Sequence, residues 1–527
     1  MSTNRKLIKS TGIISSATIA SRVLGFIRDI LIAKWFGTGI FAQAFVVAFR
    51  LPNMLRDMVG EGATDAAIVP ILSEYQHTRT REEYWEVARI ILNLLLSVLI
   101  IVSVLGVVFA PVLVKVIAPG FLKDPEKFRI TVTLTRWLFP YILFLGIVAY
   151  SKGVLNSFHY FTTPAFAPVV LNVTMILSLL ILCPIIGIRG LVAGVLSGGI
   201  FELLLQMPQL KKKGFTFGRG FKIFHPIASR IGKLLLPRAI GTAVYQLSVL
   251  IDTILASLAW IVGGGGVAAL YYSNRLVQLP LAVFGIALAT AALPRMSKEV
   301  ASNNLDKLKE TVSFSLRTIF TVMIPASVGL IVLAEPIVRI LFQRGVFTSY
   351  STSITSSALF FYSFGLFAYA GIKILVSTYY SMGDTRTPVK TASISLAVNL
   401  ILNLILMWPL KIGGLALATS IAATTNFIML YKRLTVKIGD IDTERIISSV
   451  KKICLSSGIM AIFTYVCSIL FLQPDKAYGI KGIISIFAIV LLSALVYLTA
   501  AYLMRVEGIR RLFIEVNGRR VYIRKNE

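Results

Sequence analysis

Acidic residues are scarce in this chain: 24 Asp and Glu stand against 53 Lys and Arg in 527 residues, and no two aspartates are adjacent. That argues against a carboxylate cluster of the kind that holds catalytic metal ions. Histidine is scarcer still. His77, His159 and His225 are the only three, and they lie apart in the sequence near the ends of apolar runs. There are three cysteines, Cys183, Cys454 and Cys467, all within apolar runs. An odd count without metal-ligand spacing excludes a disulfide framework and a zinc site, so buried free thiols are expected. Charge of either sign is also thin, at 15% of residues, where soluble domains approach about a quarter.

What is present is apolar. Hydrophobic residues make up 56% of the chain, and the mean hydropathy is +0.81. The chain reads as an all-α polytopic membrane protein; a β-barrel would show short alternating segments instead. The formal net charge is +29. Nucleic-acid binding is the usual reading of so basic a chain. Here it fails, because the basic residues punctuate apolar spans and form no separate basic domain. At the N-terminus, Arg5, Lys6 and Lys9 precede a short apolar run, as in a secretory signal. That run continues past Arg22 to about Lys34, so it is read as a retained first span.

At about 20 apolar residues per span, the chain holds about fourteen. The first six lie near 10–34, 41–74, 86–115, 131–157, 165–186 and 190–209. Six more follow near 229–260, 267–295, 312–342, 352–381, 388–409 and 413–433, and two last near 447–472 and 479–504. Lys and Arg crowd alternate connections: the N-terminus, 77–89, 211–233, 295–309, 432–452 and 505–525. Gly263 to Gly266 carries no charge, and 115–129 is the exception, with Lys115, Lys123, Lys127 and Arg129. The alternation puts both termini in the cytoplasm.

The chain also repeats itself. KGVLNSFHYFTTPAFAPVVLN from Lys152 is followed by Pro184, Gly187, Gly190 and a basic run. KILVSTYYSMGDTRTPVKTAS from Lys373 is followed by Pro409, Gly413, Gly414 and another. Lys152 pairs with Lys373, Pro168 with Pro388 and Gly190 with Gly414. Six spans per repeat is even, which predicts parallel repeats with substrate at their interface, a known transporter plan. The expected organisation is an N-lobe over 1–222, a C-lobe over 223–440, and an addition over 441–527 holding two further spans and a basic cytoplasmic tail.

Some charges lie inside the spans. The first carries Ser21-Arg22-Val23-Leu24-Gly25-Phe26-Ile27-Arg28-Asp29, in which Arg22, Gly25 and Asp29 fall on one helical face. The second carries Arg50, Asn53, Asp57 and Glu61 as one stripe, with Arg56 beside it. Arg275 lies about eight residues into the eighth span. At 1.5 Å per residue, Arg22 is ~18 Å deep. Five such arginines facing lipid would cost more than ~12 kcal/mol. They are therefore expected to line a central cavity. A cationic cavity implies an anionic substrate, and the guanidinium fork matches phosphate oxygens.

These stretches resemble a family. SRVLGFIRD at 21–29, FRLPNMLRDMVGEGATDAAIVPILSEY at 49–75, APGF at 118–121, TPAFAPVVLN at 163–172, YYSNRLVQLP at 271–280 and GDTRTPVK at 383–390 are similar to the MurJ (MviN) lipid II flippases of the multidrug/oligosaccharidyl-lipid/polysaccharide exporter superfamily. The resemblance runs over essentially the whole chain. It implies a non-enzymatic bacterial inner-membrane transporter, working without a cofactor and as a monomer. That transporter moves the undecaprenyl-diphosphate-linked peptidoglycan precursor, lipid II, from the inner to the outer leaflet by alternating access, with the polyprenyl tail in a groove at the last two spans. By motif match it makes Arg22, Arg28, Arg56 and Arg275 head-group arginines, with Asp29 and Glu61 acidic members of the site; Arg50 joins them from the stripe above. Gln43 stands where some members have an aspartate, and Asp57 where some have a second arginine. The resemblance also raises a sodium site, for which Asp252, Asn399, Asn403 and Thr419 are the candidate oxygen ligands; a proton or the membrane potential are the alternative drives, and ordinary interhelical hydrogen bonding is the other account of these residues.

Rival readings are an exporter of another polyprenyl-linked glycan and an ion-coupled drug exporter of the same superfamily. The arginines count against a cationic drug. A membrane enzyme acting on a polyprenyl phosphate would need the acidic cluster or His–carboxylate pair that is missing here.

Overall fold

The computed structural model describes residues 3–56, 68–216, 226–472, 480–507 and 509. Among them every regular element is helical. The chain divides into two compact units. The first is Met1–Trp260 with Gly264–Ala268 and Arg344–Phe347; the second is Ile261–Gly263, Ala269–Gln343 and Thr348–Glu527.

The first unit begins with α1 (Thr3–Phe36), α2 (Ile40–Arg56), α3 (Val69–Thr78) and α4 (Arg81–Val108). It continues with α5 (Ala110–Ile117), α6 (Pro125–Leu138), α7 (Tyr141–Ser157), α8 (Thr162–Ile181), α9 (Cys183–Ile186), α10 (Ile188–Lys213) and α11 (Pro226–Ala256). Local chemistry marks the starts. Thr80 Oγ1 accepts from the Glu83 backbone N–H while Glu83 Oε2 accepts from that of Thr80, a reciprocal cap on α4. Asp124 caps α6 ahead of Pro125, accepting from the Lys127 N–H at 3.1 Å. Ile71 and Leu72 of α3, Trp85 and Ala88 of α4, Tyr150 and Val154 of α7 and Leu210 of α10 share one buried core. The APGF stretch is a close crossing. The Gly120 N–H donates to Ser257 Oγ at 3.0 Å, and a Cβ there would lie 1.9 Å from the Ser257 carbonyl oxygen.

After the short α12 (Ala259–Val262), the second unit runs through α13 (Gly266–Pro280) and α14 (Ala287–Ala301), joined by a π-helical turn at Leu281–Ile286 directly after Pro280. Then come α15 (Leu305–Val332), α16 (Ala334–Phe342), α17 (Ser349–Ser363), α18 (Leu366–Ser381), α19 (Arg386–Leu410), α20 (Ile412–Ile438), α21 (Thr443–Phe471) and α22 (Ile480–Leu503). Leu333, Ile340, Cys467 and Ile489 form one of its cores. Cys183 is also buried, whereas Cys454 lies on the exposed face of α21, contrary to the expectation of three buried thiols.

The chain is a polytopic helical membrane protein. Among the described residues, ten helices are long and apolar enough to cross a membrane, or up to eleven if the α17–α18 pair, bent by 46°, is one span. The expected segments 10–34, 41–74 and 229–260 are not among these. Segment 41–74 divides into the shorter α2 and α3, with 57–67 outside the described residues, and within 229–260 a shorter apolar helix, Gln246–Ala256, is found.

Two turns have the same backbone. Gly187, before α10, has φ 58° and ψ −136°; Lys411, before α20, has φ 50° and ψ −127°. Three residues on, the Gly190 N–H donates to the Gly187 carbonyl at 3.0 Å and the Gly414 N–H to the Lys411 carbonyl at 3.1 Å. A Cβ on Gly414 would lie 2.0 Å from the Leu406 carbonyl oxygen. Lys411 therefore holds a conformation that suits glycine. Relieving it by Lys411→Gly should raise stability by about 1 kcal/mol. Gly414→Ala should lower stability. Thermal unfolding in detergent reads both, and a neutral Gly414→Ala would overturn the close-approach account.

Candidate functional site

The first candidate arginine that packing holds is Arg28, on α1. It is 8% exposed, and its neighbour Asp29 is 1% exposed. Arg28 Nε and Nη2 both donate to Asp29 Oδ1, at 3.0 and 2.9 Å. Arg28 Nη1 donates to Asn172 Oδ1 on α8 at 2.9 Å. The Asn172 amide then ties the two helices together: Nδ2 donates to the Ser21 carbonyl at 3.1 Å, to Ser21 Oγ at 3.3 Å and to the Pro168 carbonyl at 2.9 Å. Gly25 faces the same side chain, so no bulk separates α1 from α8 here. A buried pair of charges is tolerable only when further hydrogen bonds satisfy it, and Asn172 supplies one.

Arg22 and Arg56 are exposed and Arg50 is half-buried. Against these four arginines, α1 and α2 carry one carboxylate, Asp29. Asp57 and Glu61 lie outside the described residues. Among the described residues a further carboxylate facing this region comes from α10. Glu202 is 4% exposed, and it interacts electrostatically with Arg56 and with Tyr141 of α7. Arg28 and Arg56 also act on Tyr141. So α1, α2, α7 and α10 bring Arg28, Arg56, Tyr141 and Glu202 into one neighbourhood.

Gln43, on α2, has a structural partner. Its Oε1 accepts from Lys127 Nζ at 2.9 Å, and its Nε2 donates to the Thr38 carbonyl at 3.0 Å. Lys127, itself 6% exposed, also lies 3.9 Å from the Phe121 ring centroid. In the second unit, half-buried Arg275 lies 5.0 Å from the Tyr271 ring and donates to Tyr271 Oη at 3.3 Å. Asn403 Nδ2 donates to Asn399 Oδ1 at 3.1 Å, and Asn399 Nδ2 to Thr419 Oγ1 at 3.2 Å. Three of the four candidate sodium ligands therefore form one chain of side chains. Asp252 is buried on α11, in the first unit. Among the described residues no group of three or more His, Cys, Asp or Glu side chains gathers as a metal site.

The GDTRTPVK motif has a local role. Asp384 Oδ1 accepts from the Thr387 N–H, and Oδ2 from Thr387 Oγ1 and Lys437 Nζ, at 2.9, 2.9 and 2.7 Å. It fixes the start of α19 against the end of α20. Burial pushes the Asp384 carboxyl up, but the Lys437 ammonium and the Thr387 donors outweigh burial and hold it at about 2.

Two members of this neighbourhood are inconspicuous in the sequence. Asn172 is the last letter of TPAFAPVVLN, a polar residue four positions after Pro168 in an apolar run. Glu202 is the lone carboxylate of the segment 190–209, and that isolation is the one signal that marks it.

The profile of the lipid II flippase MurJ family matches residues 32–493. The probable lipid II flippase MurJ of Buchnera aphidicola subsp. Acyrthosiphon pisum is 32% identical over 511 residues, covering 96% of this chain and 98% of its own. That of Vibrio cholerae serotype O1 is 34% identical over 466 residues, covering 87% and 88%. Among solved structures, lipid II flippase MurJ in an inward closed conformation superimposes with a TM-score of 0.78 at 27% identity, over 96% of this chain and 99% of that one. An inward-facing multidrug resistance MATE family transporter of the MOP superfamily gives 0.67 at 18% identity, over 80% and 95%, a likeness of fold alone.

Removing Asp29 takes from the buried Arg28 the carboxylate that accepts two of its N–H groups. Asp29→Ala should therefore cost about 3–5 kcal/mol, and Asn172→Ala, which loses one charge-assisted bond, about 1.5–3 kcal/mol. Both are read as lower thermal stability of the purified protein; a neutral Asp29→Ala would refute the buried pair. For Asp384, the depressed carboxyl contributes stability fully above about 4, lost as pH falls towards 2. The stability gap between wild type and Asp384→Asn should therefore be constant above pH ~5 and shrink below it; a gap independent of pH would contradict the ion pair.

Proposed function

The chain belongs to the lipid II flippase MurJ family, and from that premise we propose that the arginines of α1 and α2 bind the diphosphate of the lipid it moves. The protein is a bacterial multi-pass transporter of lipid II, the peptidoglycan precursor, and not an enzyme. The observation that supports the arginine assignment is the imbalance on α1 and α2: Arg22, Arg28, Arg50 and Arg56 against Asp29. With Arg28 committed to Asp29 and Asn172, the exposed Arg22 and Arg56 are the cations offered first to an incoming diphosphate. Arg28 orients the α1 backbone and joins when Asp29 releases it. Arg275 is a further head-group arginine, assigned by its match to the family motif.

The cycle is alternating access of this site to the two leaflets, with lipid II moving outward. Fourteen spans in two six-helix repeats plus two, both termini in the cytoplasm and an inner-membrane location complete the reading. The matched turns at Gly187 and Lys411 support the repeat, and the alternation of basic connections supports the orientation. The polyprenyl tail stays in lipid, at the last two spans. Sodium is a coupling ion in this reading. The oxygens of Asn399, Asn403 and Thr419 suit a hard cation, and Asp252 is a candidate by resemblance alone.

Leaflet-resolved lipid II translocation in reconstituted vesicles tests the reading. Arg56→Lys and Arg28→Ala should each slow translocation at least about tenfold, because a point charge does not replace the bidentate fork and alanine supplies no charge at all. Unchanged rates in folded variants would remove the diphosphate assignment. Transport indifferent to sodium and to Asn403→Ala would remove the ion.

A further inference from the structure

Glu202 is a carboxyl that the arginine site does not need in order to be cationic, and its surroundings are unusual for a helix this deep in the unit. Its Oε2 is buried with no hydrogen-bond partner among the described residues. One turn on, Gln206 is 0% exposed, and its Nε2 and Oε1 are likewise buried without a partner among them. Tyr141 Oη, from α7, is the fourth such atom in the same neighbourhood. Buried polar atoms are nearly always paired, so several together on facing helices need an explanation. Packing supplies none. Gly199, between Tyr141 and Phe144, already brings α10 to 2.9 Å of the Tyr141 ring, measured from where its Cβ would lie.

The charged and titratable groups around Glu202 can be named from each packed helix. Arg56 faces it from α2, and Tyr141 from α7. The α8 segment carries no charged residue, and α9 brings only Cys183. On α6, Arg136, Arg129 and Glu126 are exposed, and Lys127 is held by Gln43. Arg28 reaches Tyr141 from α1. Among the described residues a metal cation is therefore a poor fit: Arg56 and Arg28 lie nearby, and Asp29 is already engaged by Arg28. A proton fits well, because the neighbours can serve both forms of the acid. Gln206, within reach at i,i+4, has an acceptor for a neutral carboxyl O–H and a donor for a carboxylate; the Tyr141 hydroxyl can do either. Arg56 is the switch between the two. Before an anion arrives it favours the carboxylate; neutralised by a bound anion, it no longer does.

We propose that Glu202 is a proton-binding site linked to the diphosphate site: lipid binding at Arg56 draws a proton from water onto the Glu202 carboxyl, and lipid release returns it. Glu202 does not touch the substrate; it acts through Arg56, and the proposal rests on the diphosphate assignment made above. Every cycle then moves one proton onto and off the protein in step with the lipid head, and the resting arginine keeps a counter-charge.

Calorimetric titration of lipid II into the purified full-length protein tests this, at constant sodium, in buffers of different ionisation enthalpy. Lipid II's diphosphate diester has no proton to exchange near neutral pH, so any buffer dependence reports the protein. Wild type should take up protons on binding, and its affinity should weaken as pH rises, by up to about tenfold per pH unit for one linked proton. Glu202→Gln should bind with no proton uptake and a flat pH profile, and Glu202→Asp should restore both. Infrared difference spectra of wild type should show a protonated-carboxyl band appearing with lipid, which needs no variant to fold. Binding without proton uptake in wild type, or equal uptake in Glu202→Gln, overturns the linkage alone. Failure of lipid II to bind wild type, or binding undiminished in Arg56→Ala, overturns the diphosphate assignment and the linkage with it.

Discussion

Burying a guanidinium in an apolar helix bundle is the constraint on which this first unit depends. An unpaired charge there would be far outside what folding stability can offset. The chain meets the demand within one turn of helix, by placing Asp29 next to Arg28 and letting one carboxylate oxygen accept two of its N–H groups. The third contact comes from a different helix. Asn172 accepts from Arg28 and donates back to Ser21 and Pro168, so the neutralised cation also pins α1 to α8. The ion pair sets the spacing of these helices as much as it solves an electrostatic problem.

The same helices carry more cations than their own carboxylate can neutralise. Arg22 and Arg56 are exposed on helices that hold a single carboxylate, and a protein that must release its anion as well as bind it benefits from that excess. An arginine locked permanently to a carboxylate would bind a diphosphate weakly, while one with no competing carboxylate would hold it too well. In the proposed linkage Glu202, facing Arg56 from α10, sets the balance between those limits. Gln43 shows the opposite case. It is committed at both ends of its amide, to Lys127 and to the Thr38 carbonyl, and so serves packing.

Much of this was legible in one dimension. Charged letters inside apolar runs located Arg22, Arg28, Asp29, Arg50 and Arg56, because lipid makes each such letter costly enough to need a reason. The bend between α17 and α18 and the breaks at Phe109 and Leu333 were not legible. Apolar runs on either side of them have the same composition, and a helix break inside a run leaves no mark on hydropathy. The family motifs carried different kinds of information under one appearance. SRVLGFIRD encodes a charge site, whereas GDTRTPVK encodes a helix cap with Lys437 as its partner, and APGF encodes a close backbone crossing.

The sequence by itself determined that the chain crosses a membrane many times, that it carries cations where lipid forbids them, and that it has the motifs of a lipid II flippase. These are properties of composition and order, which act through the solvent and need no knowledge of who touches whom. Only the tertiary structure decided which arginine is held in a buried pair and which are exposed. Asn172 lies 144 positions from Arg28, and Glu202 lies well over a hundred from Arg56. Hydrogen bonds and counter-charges act over a few ångströms, and sequence separation says nothing about that distance until the helices have packed.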